Sequence, residues 1–174
     1  FDMQIFDVQD VPVHGGTIRV FVKKNKGPYG VAQSIEKHVN QEKSIGIDKP
    51  ETYASFFIEI QRIKIKLLKL LISLKAQNKT IVGYGAPAKA NTLLNYFNIG
   101  TEIIDFIVDD SPWKQGRFTP GKKIPIVPPT SLSKRTDYVL ILAWNFADAI
   151  IEKNKEFSNE GGKFIIPFPN PKII

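Results

Sequence analysis

Short, continuous apolar runs alternate with helical patterns in the second half of the chain, and this alternation restricts the fold more than any other feature of the sequence. The runs "TIVGYG", "DYVLILAW" and "GGKFIIPFP" lack the polar alternation of a strand with one wet face, so both of their faces are expected to be buried. "IIDFIVDDS" and "KIPIVPP" supply further strands, and helices are expected over about 87–97 and over "NFADAIIEKNKEF". The pattern predicts a mostly parallel α/β sheet with helices on both faces.

The first half of the chain is typical of a β-hairpin followed by helices. "MQIFDVQDV" and "TIRVFVKK" are strand-like runs joined by "PVHGG", and a long helix is expected from Pro50, with an apolar stripe from Tyr53 to Leu74. We therefore predict a hairpin over 1–24, a helical connector over 25–78 and a Rossmann-like domain over 79–174. Because the chain begins at Phe1 directly in strand-like sequence, we expect it to be part of a longer protein.

Composition and charge exclude several classes of protein. The 174 residues include no cysteine, which excludes disulfides and thiolate metal sites and is consistent with a cytoplasmic protein. The two histidines, His14 and His38, lie far apart in sequence, so no histidine-based metal site is expected. Charged residues within the long helix exclude a membrane span. The net charge of +7 favours an anionic partner, but the dispersed lysines do not indicate nucleic acid.

The candidate binding residues follow the ends of the predicted strands, where parallel sheets bind their ligands. Gly83 and Gly85 leave room for a close approach of the backbone to an oxyanion, and Pro87 starts a helix whose N-terminus attracts negative charge. Lys89 adds a full positive charge in the first turn. The candidate substrate-binding residues are Gly83, Gly85, Ala86, Lys89, Asn91, Asp109, Lys114, Gln115 and Asn145.

Plainer explanations exist for the same residues. The two glycines can serve only a tight turn, Asp109 can be a solvated strand end, and Asn145 can cap a helix. Two other functions therefore stay open. One is an NAD-binding domain of an oxidoreductase, although the third glycine of the dinucleotide fingerprint is absent. The other is a structural module without a ligand that docks a catalytic domain through the 53–74 stripe.

Five runs, taken together and in order, resemble one family. "VPVHGGTIRVFV", "GYGAPAKANTLLNY", "DDSPWKQGRFTPGKKIPI", "LILAWNFADAI" and "GGKFIIPFP" are similar to the C-terminal part of the SAM-dependent sugar C-methyltransferases of deoxysugar biosynthesis. The resemblance covers essentially the whole chain. It implies a parent enzyme with an N-terminal zinc-binding domain, a central SAM-binding methyltransferase domain acting in cis, and this C-terminal domain.

The resemblance also implies a reaction and a role for this domain in it. In the parent enzyme, a base removes a proton beside the ketone of a dTDP-linked keto-deoxysugar, and the enolate carbon attacks the methyl group of SAM. The C-terminal domain would hold the nucleotide-diphosphate sugar without supplying a catalytic residue. The turn containing His14 would face the substrate, which makes His14 a possible substrate neighbour. The family's SAM-binding loop and zinc cysteines are not in this sequence, so the chain alone is expected to be inactive.

Overall fold

The computed structural model describes residues 1–13, 15–132 and 135–174. They form two compact units, Phe1–Glu59 and Ile60–Ile174. The boundary falls inside one helix of 27 residues, whereas the sequence-based division placed its boundaries after residues 24 and 78. That division concerns the domains of a parent protein and stays a prediction.

The first unit contains the predicted hairpin. Strands β1 (Met3–Val11) and β2 (Thr17–Lys24) pair antiparallel, and helix α1 (Gln33–Ile45) lies beside β1. The Ser34 hydroxyl at the start of α1 donates a hydrogen bond of 2.6 Å to the Asp7 carboxylate of β1. His14 lies outside the described residues, so its expected place beside a substrate stays a prediction.

The second unit is built on a six-stranded sheet whose order confirms the predicted α/β class. The order is β5-β4-β3-β6-β7-β8; the first five strands are parallel, and β8 runs antiparallel to β7. The antiparallel strand was not predicted, since a two-residue strand leaves no periodic signal in the sequence. The strands are β3 (Ile81–Tyr84), β4 (Ile107–Val108), β5 (Ile126–Val127), β6 (Tyr138–Ile141), β7 (Lys163–Ile166) and β8 (Lys172–Ile173).

Helices cover both faces of this sheet, as the sequence predicts. The one helix expected after β6 is divided at Asn154, so two short helices and a preceding 3-10 turn take its place. The helices are α2 (Pro50–Ala76), α3 (Ala88–Phe97), α4 (Ala147–Lys153) and α5 (Lys155–Asn159), with 3-10 turns at Pro129–Ser131 and Trp144–Phe146.

Alternating side chains of the strands fill two apolar cores. On one face, residues such as Ile81 and Leu140 pack among buried side chains of α2 and α3; on the other, Val82 and Val139 pack with α4 and α5. The predicted stripe of α2 is buried only in its second half, because Tyr53 is 59% exposed and Phe56 is 64% exposed. The buried members are Ile63, Leu67, Leu71 and Leu74.

The chain reverses its direction of travel across the sheet at β3, which has β4 on one side and β6 on the other. In such sheets a ligand crevice opens at the carboxyl ends of the two strands that flank the reversal. Gly83 lies inside β3, where an added Cβ would stand 2.7 Å from Ile107 Cγ1 and 2.9 Å from Leu142 Cδ1. Its lack of a side chain therefore has a packing reason that does not depend on a ligand.

We expect Gly83→Ala to destabilise the sheet unit by about 1–3 kcal/mol, because the new methyl group must displace two core side chains. Chemical unfolding followed by circular dichroism measures this change. Gly30→Ala is the control, since an added Cβ at Gly30 meets nothing within 4 Å and the change should be close to neutral. Equal stabilities of the two variants would contradict the packing explanation.

Candidate functional site

The loop that follows β3 turns directly into the N-terminus of α3. Gly85 has a φ of +84°, and an added Cβ would lie 2.8 Å from the Cβ of Ala143, so a side chain is disfavoured there on two grounds. Pro87 occupies the N-cap position with extended backbone, and within the described residues no side chain caps the helix. The helix therefore begins at the crevice with its positive end uncompensated by a cap.

A buried carboxylate, that of Asp109, fastens this loop to the end of β4. Its Oδ2 accepts hydrogen bonds from the Ala86 amide at 2.6 Å and from Lys114 Nζ at 3.1 Å, while Oδ1 accepts one from the Ser111 amide at 2.9 Å. The residue is only 6% exposed. Both oxygens are engaged inside the protein, so a ligand contact by Asp109 would have to compete with these bonds.

These bonds determine how Asp109 titrates. Burial removes water from the carboxylate and raises its pKa, but the Ala86 and Ser111 amides and the Lys114 ammonium stabilise the charged form more strongly. The net effect holds the pKa of Asp109 below its ordinary value. At pH values above the ordinary pKa of an aspartate, the charged carboxylate therefore stabilises the folded state. This stabilisation is lost as the pH falls through the lowered pKa that Asp109 has in the folded protein.

The segment from Asp109 to β5 is fastened to the domain at two further places. Backbone bonds from Gly116 N to Ile126 O, at 2.9 Å, and from Ile126 N to Arg117 O, at 2.8 Å, join its middle to β5. Asn95 of α3 donates from Nδ2 to the Pro120 carbonyl at 3.1 Å, which fixes the tip of the segment on α3. The loop is therefore held in place before any ligand arrives.

Lys89, in the first turn of α3, stands over an aromatic ring. Its Nζ lies 4.4 Å from the centroid of the Trp144 ring, and Trp144 in turn packs at 4.9 Å against Phe168. Burial lowers the pKa of Lys89, and no carboxylate contributes to the shift. A partly desolvated ammonium without a carboxylate partner among the described residues is suited to an anionic ligand.

Two clefts open beside the first turn of α3. One, which we name the basic cleft, has a volume of about 210 Å³, and the other, the aromatic cleft, about 460 Å³. The basic cleft is lined by Ala86, Asn91, Lys114, Arg117, Phe118, Thr119, Pro120 and Ile126. The aromatic cleft is lined by Trp144, Asn145, Ala147, Asp148, Ile166, Phe168, Pro169, Asn170 and Lys172.

The structure distributes the nine predicted site residues over four settings. Ala86, Asn91 and Lys114 line the basic cleft, Asn145 lines the aromatic cleft, and Lys89 contacts Trp144 of the latter. Asp109 fastens the loops, and Gln115 helps by donating from Nε2 to the Asp109 carbonyl at 2.9 Å. Gly83 and Gly85 shape the strand and the turn. A ligand contact by any of these residues stays a prediction.

Sequence reasoning left out Arg117 and Phe168 as site residues. Arg117 stands in the run "KQGRF", and only its backbone pairing with β5 brings it to the cleft beside α3. Phe168 follows β7, whose neighbour in the sheet is β6, so the aromatic cleft depends on strand order. Within the described residues, no cluster of three or more histidine or acidic side chains is arranged to hold a metal ion.

Across residues 1–13, 15–132 and 135–174, the helices include none with the length and apolar character that spanning a membrane requires.

The sheet order and the crevice at its reversal define a Rossmann-like domain with a basic and an aromatic cleft at the carboxyl ends of its strands. The family of C-methyltransferase C-terminal domains matches residues 12–169, and the chain belongs to this family. It is 37% identical over 173 residues to the C-methyltransferase NovU of Streptomyces niveus, covering 99% of this chain and 41% of that protein. The chain thus spans about two fifths of this relative's length.

One solved structure shows a more distant likeness. The UDP-D-quinovosamine 4-dehydrogenase from Vibrio fischeri superposes with a TM-score of 0.38 and 23% sequence identity, covering 53% of this chain and 79% of that chain. At this level the likeness does not indicate which ligand the chain binds.

Replacing Asp109 by asparagine should destabilise the sheet unit by about 1.5–3 kcal/mol near neutral pH, because hydrogen bonds to a charged group are lost. The difference from wild type should shrink as the pH falls below the ordinary pKa of an aspartate, and it should vanish once the pH has passed the lowered pKa of Asp109 in the folded state. Urea unfolding at several pH values measures both effects.

Asp110→Asn provides a matched control for this experiment. Asp110 is exposed and pairs with Lys153 at 2.6 Å, and an exposed ion pair contributes roughly 0–1 kcal/mol. If Asp109→Asn is no less stable than Asp110→Asn, the buried carboxylate does not fasten the loops.

Proposed function

We propose that this domain binds the nucleotide-diphosphate sugar on which a SAM-dependent C-methyltransferase acts, and that the sugar is a dTDP-linked keto-deoxysugar. The observation that carries the proposal is Lys89. It is a partly desolvated cation without a carboxylate partner in the described part of the chain. It lies in the first turn of a helix without a side-chain cap, which follows β3, the strand at which the chain reverses its direction across the sheet. Membership of the C-methyltransferase family supports the assignment to such an enzyme.

The charge distribution favours a phosphorylated ligand. A diphosphate carries negative charge that both a helix N-terminus and a lysine stabilise, and the chain as a whole has a formal charge of +7. Lys114 is already neutralised by Asp109, whereas Lys89 is not. The ligand's charge would therefore replace water around Lys89 without first breaking an ion pair.

The aromatic cleft suits the ring portion of such a ligand. Its volume of about 460 Å³ lies within the range of roughly 300–1,000 Å³ that is usual for small-molecule sites. Trp144 and Phe168 offer apolar surface, and the amides of Asn145 and Asn170 offer donors and acceptors for base edges or sugar hydroxyls. Lys89, beside this cleft, joins the ring site to the phosphate site.

The residues described here do not fit SAM or zinc. The Asp109 carboxylate already accepts hydrogen bonds from two amides and Lys114, and the positive charge of Lys89 opposes a sulfonium cation. Zinc would need a ligand cluster that the described residues do not provide. In this proposal the methyl transfer belongs to other parts of the parent enzyme, and this domain contributes by orienting the sugar.

Removing the charge of Lys89 should weaken the binding of dTDP about 10- to 100-fold, since a charge-assisted hydrogen bond is worth about 1.5–3 kcal/mol. Lys89→Met retains most of the apolar stem that covers Trp144, so the loss reports on the ammonium. Calorimetric titration at two salt concentrations measures the affinity, and the variant should also show a weaker dependence on salt.

Lys163→Met is the matched control. Lys163 is an exposed lysine at the amino end of β7, opposite to the clefts, and its replacement should leave the affinity unchanged. Equal affinities for wild type, Lys89→Met and Lys163→Met would contradict the role of Lys89. Tight binding of NADH with no binding of dTDP would instead favour the oxidoreductase alternative, and binding of neither nucleotide would favour a structural docking module.

A further inference from the structure

Arg117 presents a charge to the basic cleft that no carboxylate in the described part of the chain neutralises. Lys114, the other cation of the cleft, is held 3.1 Å from the Asp109 carboxylate, whereas no carboxylate of the described residues forms an ion pair with Arg117. An unpaired guanidinium beside an ion-paired ammonium gives the cleft a net positive charge. Such a cleft attracts an anion, and a guanidinium binds phosphate oxygens in pairs.

The backbone that carries Arg117 is fixed although its side chain is exposed. The Arg117 carbonyl accepts the bond from Ile126 N of β5 at 2.8 Å, and the Arg117 amide donates to the Lys114 carbonyl at 3.2 Å. The next residue, Phe118, forms an antiparallel bridge with Pro125. The point from which the Arg117 side chain extends is therefore fixed at the edge of the cleft, and no backbone rearrangement is needed for binding.

The size of the basic cleft selects a small ligand group. Its volume of about 210 Å³ is below the range of roughly 300–1,000 Å³ for whole small-molecule ligands, so it holds a phosphate group and not a complete nucleotide. The Asn91 side chain and Thr119 supply polar lining, while Phe118 and Ile126 supply apolar lining.

We propose that the basic cleft is a phosphate subsite in which Arg117 contacts the phosphate oxygens and the Asp109–Lys114 pair fixes the position of the loop. The proposal rests on the proposed function for the identity of the ligand, since the phosphate is that of the nucleotide-diphosphate sugar. It assigns Arg117, together with Lys89, to one continuous anionic portion of the ligand. Asp109 acts here as a positioning residue that does not touch the ligand.

The test uses three ligands and three variants of Arg117 and its neighbourhood. Inorganic pyrophosphate, dTDP and thymidine are titrated into wild type, Arg117→Met, Arg117→Lys and Lys122→Met. Arg117→Met should weaken the binding of pyrophosphate and of dTDP about 10- to 100-fold and leave thymidine unaffected. Arg117→Lys should recover only part of the loss, because an ammonium lacks the planar pair of donors.

Lys122→Met is the control within the same loop. Lys122 donates to the Asn98 side chain and does not line the cleft, so its replacement should change none of the affinities. Unfolding curves should be the same for all variants, since the Arg117 side chain is exposed. An equal loss of affinity for thymidine would show a general disturbance of the domain and overturn the subsite.

The results separate this inference from the proposed function. If Lys89→Met loses the binding of dTDP while Arg117→Met binds dTDP as tightly as wild type, the nucleotide remains the ligand and the phosphate subsite is overturned. If wild type binds pyrophosphate in a way that depends on Arg117 but does not bind dTDP, the phosphate subsite is retained and the proposal of a nucleotide ligand is overturned. Failure of pyrophosphate to bind wild type would overturn the subsite.

Discussion

The buried carboxylate of Asp109 is the interaction on which the arrangement of the site depends. It joins the turn after β3 to the end of β4 and holds Lys114 beside them. An uncompensated charge at 6% exposure would cost several kcal/mol, and the two amides and the ammonium together offset this cost and keep the pKa of Asp109 below its ordinary value. The geometry of the basic cleft, which Ala86 and Lys114 line, is therefore tied to the protonation state of one side chain.

Asp109 also occupies a place that an anionic ligand would otherwise compete for. The amide of Ala86, one of the candidate substrate-binding residues, already donates to this carboxylate. In the proposed complex, the ligand phosphate therefore lies farther along the first turn of α3 or in the neighbouring cleft. The proposal accordingly assigns the phosphate to side chains, and not to the glycine turn alone.

The sequence predicted the class of fold because burial on both faces of a strand leaves a continuous apolar run. Ile81 and Val82 point to opposite cores, and both had to be apolar for the strand to be recognised. Local sequence could not show that Asp109 is buried, since an acidic residue at a strand end is usually solvated. Nor could it place Arg117 beside α3, because that depends on pairing with β5, and only strand order brings Phe168 to Trp144.

The contact between Lys89 and Trp144 allows ligand binding near α3 to be followed by tryptophan fluorescence. A positive charge 4.4 Å from an indole ring shifts the energy of its excited state, so an anion that draws the ammonium away alters the emission of Trp144. The chain has two tryptophans, and the other, Trp113, is 83% exposed. With Trp113 replaced by phenylalanine, the tryptophan fluorescence of the domain would come from Trp144 alone and would report the electrostatic environment at the first turn of α3.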